Sequence, residues 1–182
     1  MDPAKTVIFP WGTDIEHFVP KMKESREKSI TLLCNRTWEP IYGVDVLAKA
    51  FVKVAAREVD LGLILLGGGS QGGMIRQILM SGGVLERVHF GGHVSQAELP
   101  RWYHMADLYI SPSHVDGSSV SLMEALASGL PCLVSDIPGN REWIEDGVNG
   151  WLFRDGDAED LAEKISYAIK NRRSFKRIGE SA

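Results

Sequence analysis

Short apolar runs alternate with longer amphipathic ones along this chain, and that alternation limits the fold more than any other feature. TVIF (6–9), ITLLC (30–34), LGLILL (61–66), RVHF (87–90), DLYIS (107–111), PCLVS (131–135) and GWLF (150–153) read as strands. Helical periodicity fills 43–58, 72–81, 95–104, 119–128, 139–145 and 158–171. Strands that are apolar throughout are expected where both faces of a sheet are covered. Strands alternating with helices predict a parallel sheet with right-handed crossovers. The expected fold is α/β, a Rossmann-like doubly wound parallel sheet. Helix ends agree with it: Asp157 is placed to cap the last long helix, and Gly129 follows the helix before PCLVS, with Pro131 soon after.

At 182 residues the chain is expected to form one domain, with residues 1–29 as its lead-in segment. A net charge of −4, with no basic stripe interleaved with aromatics, argues against a nucleic-acid partner. It leaves room for an anionic ligand at a helix N-terminus. Cys34 and Cys132 sit beside apolar runs and read as small buried strand residues rather than a disulfide or a metal site. No run reaches membrane-spanning length, and MDPAKTV is not a signal peptide, so a cytoplasmic protein is expected. The basic segment KNRRSFKRIG reads as a solvated helix face. No compact His/Asp/Glu cluster suggests a metal, and no cofactor is expected. Trp38, Trp102, Trp143 and Trp151 read as packing anchors, and the five histidines as structural, with His93 and His114 in loops of interest.

In open parallel sheets ligands bind at the carboxyl ends of the strands. The loops that matter are therefore 35–43, 67–72, 91–95, 112–121 and 136–140. Gly67, Gly69 and Gly72 form G-x-G-x-x-G between a strand and a helix. The acid that a dinucleotide site wants after the next strand is missing, because RVHF ends in Gly91 and Gly92. The loop can bring amides close to a phosphate or sugar, and serves equally as a flexible turn. Arg36 just past a strand end can hold a diphosphate, or join a surface salt bridge. In HVDGSSVSLMEALASG, Ser121 and Glu124 fit a capping box. That box leaves Asp116, Gly117, Ser118 and Ser119 unexplained. Their hydroxyls and amides surround a helix N-terminus, where the dipole favours an anion.

Asp116 and Glu124 are separated by seven intervening residues and are followed by ALASGLPCLVSDIPGNREWIEDGVNGWLF. This segment resembles the E-x7-E region of retaining GT-B glycosyltransferases of the family 4 type. VIFPWGTDIEHFVP, CNRTWEPIYGVDVLAKAF and VHFGGHVSQAELPRWYHMADLYISPSHVDGSSVSLMEALASG resemble, in order, the rest of that family's C-terminal domain. The resemblance implies the C-terminal, nucleotide-sugar-binding half of a GT-B enzyme that moves a hexosyl group from a nucleoside-diphosphate sugar, UDP- or GDP-linked, to an acceptor. It implies that Arg36 contacts the donor diphosphate and that the loop with Gly68 and Gly69 touches phosphates and nucleoside. Backbone at His93 and Val94 would meet the base. Asp116, with Gly117 and Ser118, would hold the sugar; amides from Ser119, Val120 and Ser121 would hold sugar and phosphate; Glu124 would bind the ribose. Arg36, Asp116 and Glu124 are the candidate catalytic residues. Two residues depart from the family pattern. Asp116 replaces a glutamate, and Tyr42 stands before Gly43 where lysine is common, so a hydrogen-bond donor replaces a charge. The family's N-terminal acceptor-binding domain has no counterpart in these residues, so the chain is expected to bind donor and transfer poorly alone. The alternative is a non-catalytic nucleotide-sugar-binding module working with a partner protein.

Overall fold

The computed structural model describes residues 12–20 and 29–181, so the strand expected at 6–9 lies outside the described residues. Six strands form one sheet: β1 (Ile30–Cys34), β2 (Leu61–Leu66), β3 (Val88–Gly92), β4 (Leu108–Ser111), β5 (Cys132–Ser135) and β6 (Gly150–Phe153). Their order is β3-β2-β1-β4-β5-β6 and every pairing is parallel. The helices are α1 (Val44–Ala55), α2 (Gly72–Ser81), α3 (Leu99–Met105), α4 (Val120–Ala127), α5 (Pro138–Arg141), α6 (Ala158–Lys170) and α7 (Phe175–Glu180). The chain winds outward from β1 to β3, returns to the centre at β4, and winds outward again to β6. This is the Rossmann-like, doubly wound arrangement that the alternation predicts.

Two apolar layers explain why the strands lack a polar face. Leu32, Cys34, Leu63, Leu65, Leu108, Ile110, Leu133 and Phe153 face α1, α2 and α6. Leu33, Ile64, Leu66, Tyr109, Cys132 and Val134 face the other way, toward Tyr103, Leu122 and Ala125. Side chains alternate along each strand, but both sides meet helices, so both must be apolar. Phe18 from the 12–20 segment joins the second layer, edge-on to Tyr103 at 5.8 Å. Both cysteines are fully buried and free, and burial pushes the Cys34 thiol up to about 11.

The helix ends follow local chemistry. Asp157 caps α6 by accepting from the amides of Glu159 at 2.9 Å and Asp160 at 3.0 Å. α4 closes in a Schellman turn: Leu130 N donates to Ala125 O at 3.0 Å, Gly129 N to Leu126 O at 2.8 Å, with Gly129 at φ +70°. Two helices are shorter than their periodicity. Ser95 and Glu98 close a side-chain turn, so α3 starts at Leu99 instead of 95, with Pro100 in its first turn. α5 stops at Arg141, and Asn149 then organises the chain by accepting from Glu145 N and donating to Trp143 O, both at 2.8 Å. The basic C-terminal segment folds into a 3-10 turn and α7, anchored by Phe175 against Trp151 at 5.9 Å.

Candidate functional site

The strand order reverses between β1 and β4, and the loops leaving those two strands part there. Such a switch point leaves a crevice at the carboxyl edge of the sheet. Arg36 enters it two residues past β1, and the 112–119 loop enters it from β4. The Arg36 guanidinium lies 2.7 Å from Asp116 Oδ2, as an ion pair rather than an aligned hydrogen bond. Its Nη1 donates to Ser121 Oγ at 2.9 Å and Ser119 Oγ at 3.2 Å. Its carbon rests over the Tyr42 ring, 4.4 Å from the centroid. Arg36 is thus not a surface arginine: its side chain is 12% exposed, and its Nε is buried without a partner. Four of the sequence-predicted residues (Tyr42, Asp116, Ser119 and Ser121) meet around a fifth, the Arg36 cation.

The capping box expected between Ser121 and Glu124 does not form. Ser119 is the N-cap of α4, with its hydroxyl 3.4 Å from the Leu122 amide. The helix therefore starts two residues earlier than the box requires, and Ser121 Oγ is released to Arg36 and to Tyr109 Oη, 2.9 Å away. Val120 and Ser121 open the helix, where first-turn amides lack intrahelical acceptors and can take an anion. Glu124, 3% exposed, has both oxygens engaged. Oε2 accepts from Tyr103 Oη at 2.8 Å and Oε1 from Gln96 Nε2 at 2.7 Å. Asn35 links the two tyrosines, donating to Tyr103 Oη at 2.8 Å and accepting from Tyr109 Oη at 3.0 Å. Burial pushes both phenols well above their ordinary value, so they stay neutral donors. Arg36 and Glu124 are thereby held by one continuous polar network.

The glycine loop is largely tied to the protein. Gly68 O accepts from Trp38 N and Gln71 N donates to Trp38 O, both at 2.9 Å. Gly67 N donates to Gly92 O at 2.6 Å, and Ser70 gives both its amide and its hydroxyl to Glu39. Those two bonds hold the Glu39 carboxyl below its usual range. Trp38 is buried and donates its indole N–H to Leu66 O at 3.0 Å. A Cβ on Gly68 would stand 3.2 Å from His93 Nε2, so His93 leans over this loop. Val94 packs into the second apolar layer. Gly117 faces open space on its side-chain side, Ser118 is half-buried, and the carbonyls of Asp116 and Gly117 lie against Gly139 of α5.

Sequence reasoning missed Asn35, Gln96, Tyr103 and Tyr109. Tyr109 sits within the apolar run of β4 and Tyr103 within α3, so both read as core, and only the fold brings their hydroxyls to the site as donors. Two surface hollows lie elsewhere. One, beside β6, is lined by charges that pair with one another, Arg141 with Asp136 at 2.5 Å and Lys164 with Asp146 at 3.5 Å. The other runs between α1 and α6. Among the described residues no three His, Cys, Asp or Glu side chains are grouped to hold a metal, and no helix is long and apolar enough to cross a membrane.

Comparison with known proteins adds an independent line. Residues 16–182 match the family model described as Glycosyl transferases group 1. The chain is 33% identical, over 129 residues, to the GtfA subunit of a UDP-N-acetylglucosamine–peptide N-acetylglucosaminyltransferase from Streptococcus pneumoniae, covering 70% of this chain and 25% of that protein. The C-terminal domain of a glycosyl transferase group 1 family protein (LpcC) from Francisella tularensis superposes with a TM-score of 0.83 at 18% identity, covering 93% of this chain and 94% of that one. HepE of Anabaena, solved with UDP and glucose, superposes at 0.81 and 21% identity, over 93% of this chain and 49% of that one. The chain spans less than half the length of the curated relatives it matches.

Proposed function

The chain belongs to the glycosyl transferases group 1 family and has the GT-B C-terminal fold, and from that premise we propose that it is the donor domain of a retaining hexosyltransferase. The donor is a nucleoside-diphosphate hexose, with a UDP or GDP leaving group. The observation that carries this reading is the convergence of Arg36, Asp116, Ser119 and Ser121 at the head of α4, on the switch point of the sheet.

Bound donor would exchange internal contacts for ligand contacts. The Arg36 guanidinium, now paired with Asp116, turns to the diphosphate, and Asp116 turns to sugar hydroxyls. Glu124 gives up its bond from Gln96 and accepts from the ribose, while Tyr103 keeps it in place. As the bond between the sugar's anomeric carbon and the diphosphate breaks, negative charge gathers on the leaving oxygens. Arg36 and the first-turn amides of α4 stabilise that charge, and Asp116 orients the ring. No metal is invoked. Transfer also needs an acceptor-binding domain facing this crevice, so the 182-residue chain alone binds donor and transfers little.

The test is a calorimetric titration of the chain with UDP, GDP and ADP, and of its Arg36→Ala variant. Binding of one diphosphate at a dissociation constant near or below about 1 mM, roughly −4 kcal/mol, and lost in the variant, supports the reading. A folded chain that binds none of them overturns it. One observation favours a second reading, a non-catalytic binding module: Arg36 stacks on Tyr42, which adds no charge to the diphosphate site. Adding an acceptor domain from a relative and recovering transfer, or not, separates the two.

A further inference from the structure

We infer that His114 is a second anion-binding side chain of this site, presenting Nε2 to the donor diphosphate beside Gly43 while Asp155 holds the other ring nitrogen. The inference rests on the donor-binding reading above. Its starting point is charge. Arg36 is neutralised by Asp116 at 2.7 Å, so the pair brings no net charge to an incoming diphosphate. Tyr42, under the guanidinium, brings a ring. The next group able to carry positive charge here is His114, two residues before Asp116.

The backbone fixes where its ring lies. His114 N donates to Ile41 O at 2.9 Å, which sets the residue beside the Tyr42–Gly43 turn that opens α1. Gly43 is at φ +59°, and a Cβ there would stand 3.3 Å from His114 Nε2 and run into the Pro112 carbonyl. On the far side, a Cβ on Gly156 would stand 3.8 Å from Cε1. The ring therefore lies between two glycines, one opening α1 and one in the turn before α6. Its Nδ1 is 2.6 Å from Asp155 Oδ1. A protonated ring donates from both nitrogens, one to Asp155 and one from Nε2 beside Gly43. With 34% of its side chain exposed, His114 is anchored yet reachable by a ligand.

The charged neighbours of the ring are few. Asp155 faces it from the turn before α6, and the Arg36–Asp116 pair lies farther along the same loop cluster. Arg154, next to Asp155, turns instead to Asp157 at 3.0 Å and Asp160 at 3.8 Å. From α1, which opens at Gly43, the first-turn acid Asp45 pairs with Lys49 at 2.7 Å.

The experiment titrates the chain with UDP-glucose and GDP-mannose from about pH 5.5 to about pH 8.5, the range across which histidines change charge. A nucleotide sugar keeps a constant charge over that range, so ligand titration does not enter. The expected result is a fall in affinity of about tenfold toward high pH, the size of one hydrogen bond to a charged group. The His114→Gln variant is expected to bind at the weaker, high-pH level throughout. In the unaltered chain, the imidazole NMR titration of His114 should move to higher pH when the nucleotide sugar is added. A flat pH profile, a variant that keeps the original slope, or an imidazole titration indifferent to ligand overturns the inference while leaving the donor site standing. Failure of both nucleotide sugars to bind at any pH removes the donor reading and the role of His114 with it.

Discussion

The glycine loop after β2 and the serine-rich loop after β4 both leave the carboxyl edge of the sheet and both open a helix, yet they spend their polar groups differently. Gly67, Gly68, Ser70 and Gln71 bond to neighbouring protein. Ser119, Ser121 and Asp116 gather around Arg36, whose Nε still lacks a partner. The first loop uses glycine because another stretch of backbone passes close by. A Cβ on Gly69 would stand 2.5 Å from Trp38 O, and one on Gly72 would press on the Trp38 ring at 3.3 Å. A glycine motif reports close approach. Whether the approaching group is a phosphate or the protein's own chain is a separate question, and here it is largely the latter.

Three substitutions tell the two loops apart. The largest effect is expected at Glu124, which makes two bonds with a charged acceptor. Glu124→Ala should weaken nucleotide binding by about 3 kcal/mol, roughly a hundredfold, in a titration of UDP or GDP. A variant that binds normally and only melts earlier would reduce Glu124 to a structural buttress for Tyr103. Next comes Gly69→Ala, which should lower stability by about 1–3 kcal/mol in urea unfolding, because backbone rather than a movable side chain stands in the way. An unchanged midpoint would return this loop to ligand binding.

The smallest effect concerns Glu39. Its carboxyl is held below its ordinary value of 4.5, chiefly by the Ser70 side chain and then by the Ser70 amide. A folded-state value depressed in this way contributes stability above the unfolded value and loses it as pH falls through the folded one. Glu39→Gln should therefore flatten the acid limb of the stability profile below about pH 4.5, with the gap to the unaltered chain largest near neutrality. Parallel profiles would show that the Glu39–Ser70 contact contributes no pH-dependent stability to the glycine loop.

Most of the fold was legible because both faces of the inner strands are covered, so those strands appear as nearly unbroken apolar runs, while the edge strand β3 is only partly buried. The errors fall where side chains replace periodicity. Ser95 with Glu98, and Asn149 with its two backbone partners, make turns that carry no 3.6-residue signal. Arg36, Asp116, Ser119 and Ser121 were legible from their place after strand ends. The capping box was misread because S-x-x-E satisfies the pattern at Ser121, whereas the chain enters the helix from Ser119. Asn35, Tyr103 and Tyr109 were illegible for a plainer reason. Asn35 meets its tyrosine partners across 68 and 74 residues of sequence, a distance over which local pattern says nothing.

The pairing of β1 with β4 has a kinetic meaning. Leu32 lies beside Leu108, 76 positions away, while β1–β2 begins with Ile30 beside Leu61, 31 apart, and β5–β6 with Cys132 beside Gly150, 18 apart. Chain entropy makes the longest closure the most costly, and non-local pairing slows folding. Each wing of the sheet can therefore assemble on its own residues before the two meet. The crevice with Arg36 on one wing and Asp116 on the other exists only after that last joining. Ligand capture in a refolding experiment would mark the moment the two halves of the chain become one.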